Sequence, residues 1–152
     1  MSNRRGLFFD EFEIGLTITS AGRTITEGDI VSFACLTGDF NQIHVDAEYA
    51  RNSPFGQRVA HGLLVLSVSL GLAVQTGVLE GTILAFREVT EWKFTKPVFI
   101  GDTIQVSMVV TETKEIKRVN AGSVTVNVEV KNQRGETVNK GILSFLMALR
   151  PE

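Results

Sequence analysis

A mixed α+β fold, an antiparallel sheet wrapped around a buried helix, is predicted by three observations. Helical patterns come early in the 152-residue chain and strand patterns mostly late, whereas a βαβ protein would alternate them. The segment LLVLSVSLGLAV (63–74) is apolar on nearly every side, so a helix built from it must be covered over most of its surface. The late strand patterns are joined by hairpin-length turns, which make neighbouring strands antiparallel.

The elements follow in order. LTITSAGRTIT (16–26) reads as a short extended piece. TEGD (26–29) carries a capping-box-like helix start, with Thr26 as N-cap and Asp29 three residues on. Ile30, Phe33, Ala34 and Thr37 recur at helical spacing, and Gly38 is a natural stop. Cys35 lies on this helix among apolar neighbours and is expected to pack there. After a loop through RNSPFGQR (51–58), the second helix is expected to start near His61 or Gly62 and to run to Gly77. TILAFREVTEWKFTKPVF (82–99) is long and rich in β-branched and aromatic residues, a strand signal. Ile104, Val106, Met108 and Val110 alternate along the next strand. In SVTVNVEV (123–130), Val124, Val126, Val128 and Val130 define one face, opposite Thr125, Asn127 and Glu129. Arg134-Gly135 supplies a turn, and KGILSFLMALR forms the last strand, with Gly141 a candidate bulge site. No repeat or Pro/Ser-rich linker interrupts the chain, which is expected to form a single domain over residues 1–152.

Composition removes several function classes. With 15 basic and 17 acidic side chains, the net charge of −2 offers no electrostatic footprint for nucleic acid. Cys35 is the sole cysteine, which rules out an intrachain disulfide and a thiolate metal cluster and suits a reducing cytosol. The N-terminal MSNRRGLFFDEFEIG has no long apolar run, so a secretory signal is not expected. The twelve residues at 63–74 are too few to span a bilayer. A cytoplasmic protein that engages neither membrane nor nucleic acid is the expectation.

The stretch GDFNQIHVD (38–46) concentrates chemistry. It holds one of only two histidines, with Asp39, Asn41 and Asp46. Five residues separate Asp39 from His44, a spacing that turns them roughly 140° apart on a helix and places them on opposite faces of a strand. They converge only if the stretch between them is irregular, as loops that carry catalytic groups are. Spacing alone favours ordinary turn chemistry, since Asx side chains readily bond nearby backbone. Asp46 reads as a cap for the AEYA segment.

The longer pattern reverses that balance. T-G-D-F-N-x-I-H-x-D-x-x-Y-A, then F-G-x-x-V-A-H-G-L-L, resembles the MaoC-like dehydratase family, which includes the R-specific enoyl-CoA hydratases. F-E-I-G near the start and K-P-V-F-x-G-D-T at 96–103 are also similar to that family, so the resemblance touches most of the chain. Gln42 departs from it, since members commonly carry proline there, and a more flexible loop is expected.

The resemblance implies a hot-dog fold, a curled antiparallel sheet around a long central helix, assembled as a homodimer or larger. It implies an (R)-specific enoyl-CoA hydratase or 3-hydroxyacyl-CoA dehydratase, acting on an acyl-CoA or acyl-carrier-protein thioester and calling for no cofactor. Asp39 and His44 would hold and activate one water, with Asn41 supporting the loop or His44 by hydrogen bonds. The Gly62 backbone amide, at the start of the apolar helix where N–H groups lack partners, would receive the oxyanion. Ser67 matches a position that lines the pocket in some relatives.

Competing readings stay open. A hot-dog acyl-CoA thioesterase would use a similar acid–base group and helix start, and a non-catalytic acyl-thioester-binding subunit would need the pocket alone. A metal held by His44, His61 and carboxylates lacks a ligand-spaced helix pair. His61 reads as a core or helix-start residue. Ser67 and Ser69 could simply bond back to carbonyls four residues earlier. Lys114, Lys117 and Arg118 could meet a coenzyme A phosphate but read as a solvated hairpin tip, because Glu112 and Glu115 interrupt them.

Overall fold

The computed structural model describes residues 5–151. Residues 1–4 and 152 of the expected domain, including the first part of the N-terminal lead-in, lie outside the described residues. Short strands β1 (Thr17–Thr19) and β2 (Arg23–Thr24) lead into α1 (Glu27–Thr37). Two short helices follow, α2 (Gln42–Val45) and α3 (Ala47–Arg51), before the long α4 (Gly62–Gln75). The chain finishes with β3 (Ile83–Phe94), β4 (Thr103–Ile116), β5 (Ala121–Lys131) and β6 (Thr137–Ala148).

The sheet order is β1-β4-β5-β6-β3, with β2 paired to β4 off this path and every pairing antiparallel. The alternation seen in the sequence sets its inner face. Ile104, Val106, Met108 and Val110 of β4 and Val124, Val126, Val128 and Val130 of β5 are all buried. Val124 is opposite Phe145 and Val126 opposite Leu143 on β6. These side chains form one core with Leu64, Val65, Leu72 and Ala73 of α4. The result is the hot-dog arrangement, α4 seated against the inner face of the sheet.

Local signals place the helices. Thr26 accepts from the Asp29 N–H while the Asp29 carboxylate accepts from the Thr26 N–H, a complete capping box. Gly38 ends α1 with φ 78°, in the left-handed region that an L side chain resists. Asp46 caps α3 by accepting from the Tyr49 N–H.

Three expectations need correction. Cys35 is exposed, because α1 buries the Ile30–Ala34 stripe and turns position 35 outward. The apolar α4 is covered on one side only within this chain: Leu63 and Val74 remain 60% and 53% exposed. The bulge expected at Gly141 falls on the partner strand. Gly141 stays in register with Val128, and the β3–β6 pairing slips between Thr90 and Lys93, where Glu91 takes φ 50°. No helix among the described residues is long and apolar enough to cross a membrane.

Candidate active site

A cavity of about 660 Å³ opens between α1, α2, the start of α4 and the β3–β4 connection. Its size is that of an ordinary small-molecule site. Asp39, His44, His61 and Gly62 line it together, with apolar walls that include Phe33, Phe55, Val65, Phe94 and Val98.

The carboxylate and imidazole reach it by separate devices. Thr37, at the end of α1, donates its hydroxyl to the Phe33 carbonyl and accepts from the Asp39 N–H, which fixes the chain as it leaves the helix. The Asp39 carboxylate accepts from the Asn41 N–H and stays exposed to solvent. Only residues 38–41 of the intervening stretch are irregular. Asn41 then caps α2, accepting from the Ile43 N–H, so its side chain supports the loop and makes no bond to His44. Gln42 is the first helical residue, a position that suits proline equally.

His44 sits on that single helical turn and is buried. Its Nδ1 lies 2.7 Å from the Val59 carbonyl oxygen. A carbonyl only accepts, so Nδ1 carries the proton and Nε2 keeps its lone pair. Burial holds the His44 imidazole below its ordinary pKa of 6.5; the Val59 carbonyl opposes this, neighbouring His61 adds to it and Asp39 opposes it. The ring is therefore neutral near pH 7 and competent as a base.

His61 belongs to the same group, which its reading as a core or helix-start residue only half anticipated. It is the N-cap residue of α4 and is 3% exposed. Its ring stacks on His44 with centroids 3.7 Å apart and an interplanar angle of 25°, and Phe33 packs on it at 4.9 Å. Its Nε2 donates to the Asp39 carbonyl at 2.9 Å, so one imidazole ties the carboxylate-bearing loop to the start of α4. Its Nδ1 is buried without a hydrogen-bond partner.

An Asp39 carboxylate oxygen and one ring nitrogen from each histidine lie within 4.8 Å of one another. Two groups that share one water through 2.8 Å hydrogen bonds stand about 4.6 Å apart, so the spacing suits a single water. It suits a metal poorly. A tetrahedral ion needs in-plane lone pairs that converge, and those of two stacked rings lie in separate planes only 25° from parallel.

Next to this group, the His61 side chain makes no capping bond to α4, and no acceptor meets the Gly62 N–H among the described residues. The helix start therefore presents unpaired donors to the cavity. The glycine has a steric role as well. A Cβ at position 62 would come 2.9 Å from the Phe94 ring, which rests against it.

Ser67 does not line this cavity: its exposed side chain donates to the Leu63 carbonyl, and Ser69 donates likewise to Val65. Helical rotation carries position 67 away from the wall that Gly62, Leu63 and Val65 form. Lys114, Lys117 and Arg118 line a different surface groove beside the β4–β5 turn. Arg58, which sequence reasoning missed, donates from Nε to the His44 carbonyl at 2.7 Å and pairs with Glu27 at the start of α1. Asn139 was also missed, and it lines the cavity from β6.

Residues 12–133 match the family described as MaoC like domain. Over 101 residues the chain is 42% identical to Protein MaoC of Klebsiella aerogenes, covering 66% of this chain and 30% of that protein. Over 108 residues it is 39% identical to the 3-hydroxybutyryl-CoA dehydratase of Methylorubrum extorquens, covering 71% of this chain and 66% of that protein. The chain thus spans less than two thirds of the length of both relatives. Among solved structures, the monoamine oxidase regulatory protein from Archaeoglobus fulgidus superposes with a TM-score of 0.89 at 39% identity, over 99% of this chain and all of that one. The R-hydratase PhaJ1 from Pseudomonas aeruginosa superposes with a TM-score of 0.78 at 31% identity, over 94% and 86% of the two chains.

Proposed function

This chain belongs to the MaoC-like dehydratase family, which includes R-specific enoyl-CoA hydratases and 3-hydroxyacyl dehydratases, and on that premise we propose that it reversibly adds water to a 2-enoyl thioester. The observation that carries this reading is the spacing of the Asp39 carboxylate and the His44 imidazole, which suits one shared water, in the same cavity as the uncapped start of α4.

His44 Nε2 accepts a proton from that water as its oxygen bonds to the β-carbon. Asp39 orients and polarises the same water. The α-carbon gains a proton in exchange, so that H and OH add across the double bond and His44 ends the cycle neutral. Negative charge developing on the thioester oxygen meets the Gly62 N–H, where the partial positive charge of the helix start favours it. The acyl group takes the apolar wall, and the carrier, coenzyme A or acyl carrier protein, remains on the solvent side. The protein acts as a homodimer, a reading supported by the unpaired outer edge of β3 and the apolar side chains exposed beside it.

Purified protein offered 2-enoyl-CoA thioesters from crotonyl-CoA upward should consume enoyl-thioester absorbance without releasing free thiol. Asp39→Asn and His44→Ala should each lower kcat/KM by about 10²–10⁴-fold, the usual contribution of a positioned acid–base group, with the fold intact. Thiol release would move the assignment to a thioesterase. Undiminished activity in both variants would overturn the site.

A further inference from the structure

Along β6, the side chains of Leu143, Phe145 and Met147 are buried and belong to the core, with Gly141 preceding them on the same row of the pleat. Asn139 continues that row two residues earlier and is its polar exception. It is 2% exposed, it lines the same cavity as Asp39, His44 and Gly62, and its Nδ2 is buried with no hydrogen-bond partner. In register it stands opposite Val130 on one side and Phe94 on the other, and the Phe94 ring packs against Gly62. Buried amides in folded proteins are normally paired. The Nδ2 of this one is left unpaired next to Phe94, in a cavity whose apolar side Val65 and Val98 also line.

We propose that Asn139 is a specificity-determining residue that donates a hydrogen bond to an acceptor oxygen carried by the acyl group beyond the reacting carbons. The inference rests on the reading of the cavity as an enoyl-thioester site. The Nδ2 is itself enclosed, so the bond requires a turn of the side-chain amide toward the cavity that Asn139 lines, where the buried acyl portion of the ligand, and not its solvent-side carrier, meets it. The unpartnered atom is a donor, so the complementary group is an acceptor such as a keto oxygen. The thioester oxygen already has its own donor in the Gly62 N–H. A plain alkyl chain would leave the amide unpaired in the complex, and sites built to hydrogen-bond a ligand discriminate strongly against analogues that cannot answer.

The test compares two saturated, unreactive ligands of nearly equal shape, 4-oxopentanoyl-CoA and 4-methylpentanoyl-CoA, by titration calorimetry. The wild-type protein should bind the keto ligand at least tenfold more tightly, and Asn139→Leu should abolish that preference while retaining affinity for the methyl ligand. Equal affinities in the wild type, a preference that survives in Asn139→Leu, or binding of neither ligand would each overturn the proposal. The wild-type comparison stands even if the variant does not fold. Turnover of 2-enoyl-CoA thioesters is read separately, so loss of the hydratase reading and loss of the Asn139 reading are distinguishable.

Discussion

His44 is kept neutral chiefly by burial, and this sets the sign of its pH dependence. Above pH 6.5 the imidazole is uncharged in both folded and unfolded chains, so it adds no pH dependence there. Below that value the unfolded chain takes up the proton first. Stability therefore falls with acidification until the lower folded pKa is passed. The acid limb of kcat/KM should correspondingly lie below 6.5, the ordinary value for imidazole, and a pH–rate profile on the purified protein checks it. A limb centred above 6.5 would contradict a buried neutral base. At this scale the meeting of Asp39 and His44 at one cavity was legible only through the longer motif, because their spacing and residue types alone read as turn chemistry. The stack on His61, the carbonyl anchor from Arg58 and the amide of Asn139 were not. Each depends on which distant segment comes alongside, and local patterning carries no record of that.

Among the elements, the strands and α1 could be read directly, because alternation and capping are local properties. Thr26 and Asp29 announce α1, and the four valines of β5 announce the inner face of the sheet. The bulge could not be placed from one strand alone, since it is a mismatch between two. β3 takes up the irregularity near Glu91, which brings Trp92 against Gly141. A Cβ at position 141 would come within 2.5 Å of the indole and 2.9 Å of the Trp92 Cα, so relief requires movement of backbone as well as side chain. Gly141→Ala should destabilise the protein by about 1–3 kcal/mol, the usual cost of overpacking, measured by denaturant unfolding. An unchanged midpoint would mean that β3 moves away freely at that point.

For the whole molecule, the order β1-β4-β5-β6-β3 leaves β3, twelve residues long, bonded on one side only among the described residues. Leu84, Phe86, Val89 and Phe94 stay exposed along it, and Leu63 and Val74 stay exposed on α4. A long apolar edge of this kind promotes pairing with another chain. Sedimentation equilibrium should therefore return twice the 16.7 kDa chain mass. The double variant Leu84→Lys, Phe86→Lys should shift the population toward single chains. A wild-type mass of one chain at micromolar concentration would refute the dimer. The sequence showed that α4 is too apolar to stand in water, but not that this chain alone would leave one side of it bare. That depends on how far the sheet reaches around the helix.

The proposed reacting groups come from one short stretch of polypeptide, whereas the cavity wall is shared between that part of the chain and the later strands. Asp39, His44, His61 and Gly62 fall within 24 consecutive positions, while Phe94, Val98 and Asn139 arrive from much later. On the proposed reaction, chemistry and selectivity are therefore partly separable under mutation: Val98 and Asn139 can change without touching the groups placed at the water. Such a scaffold can diversify its diet while its reaction stays the same.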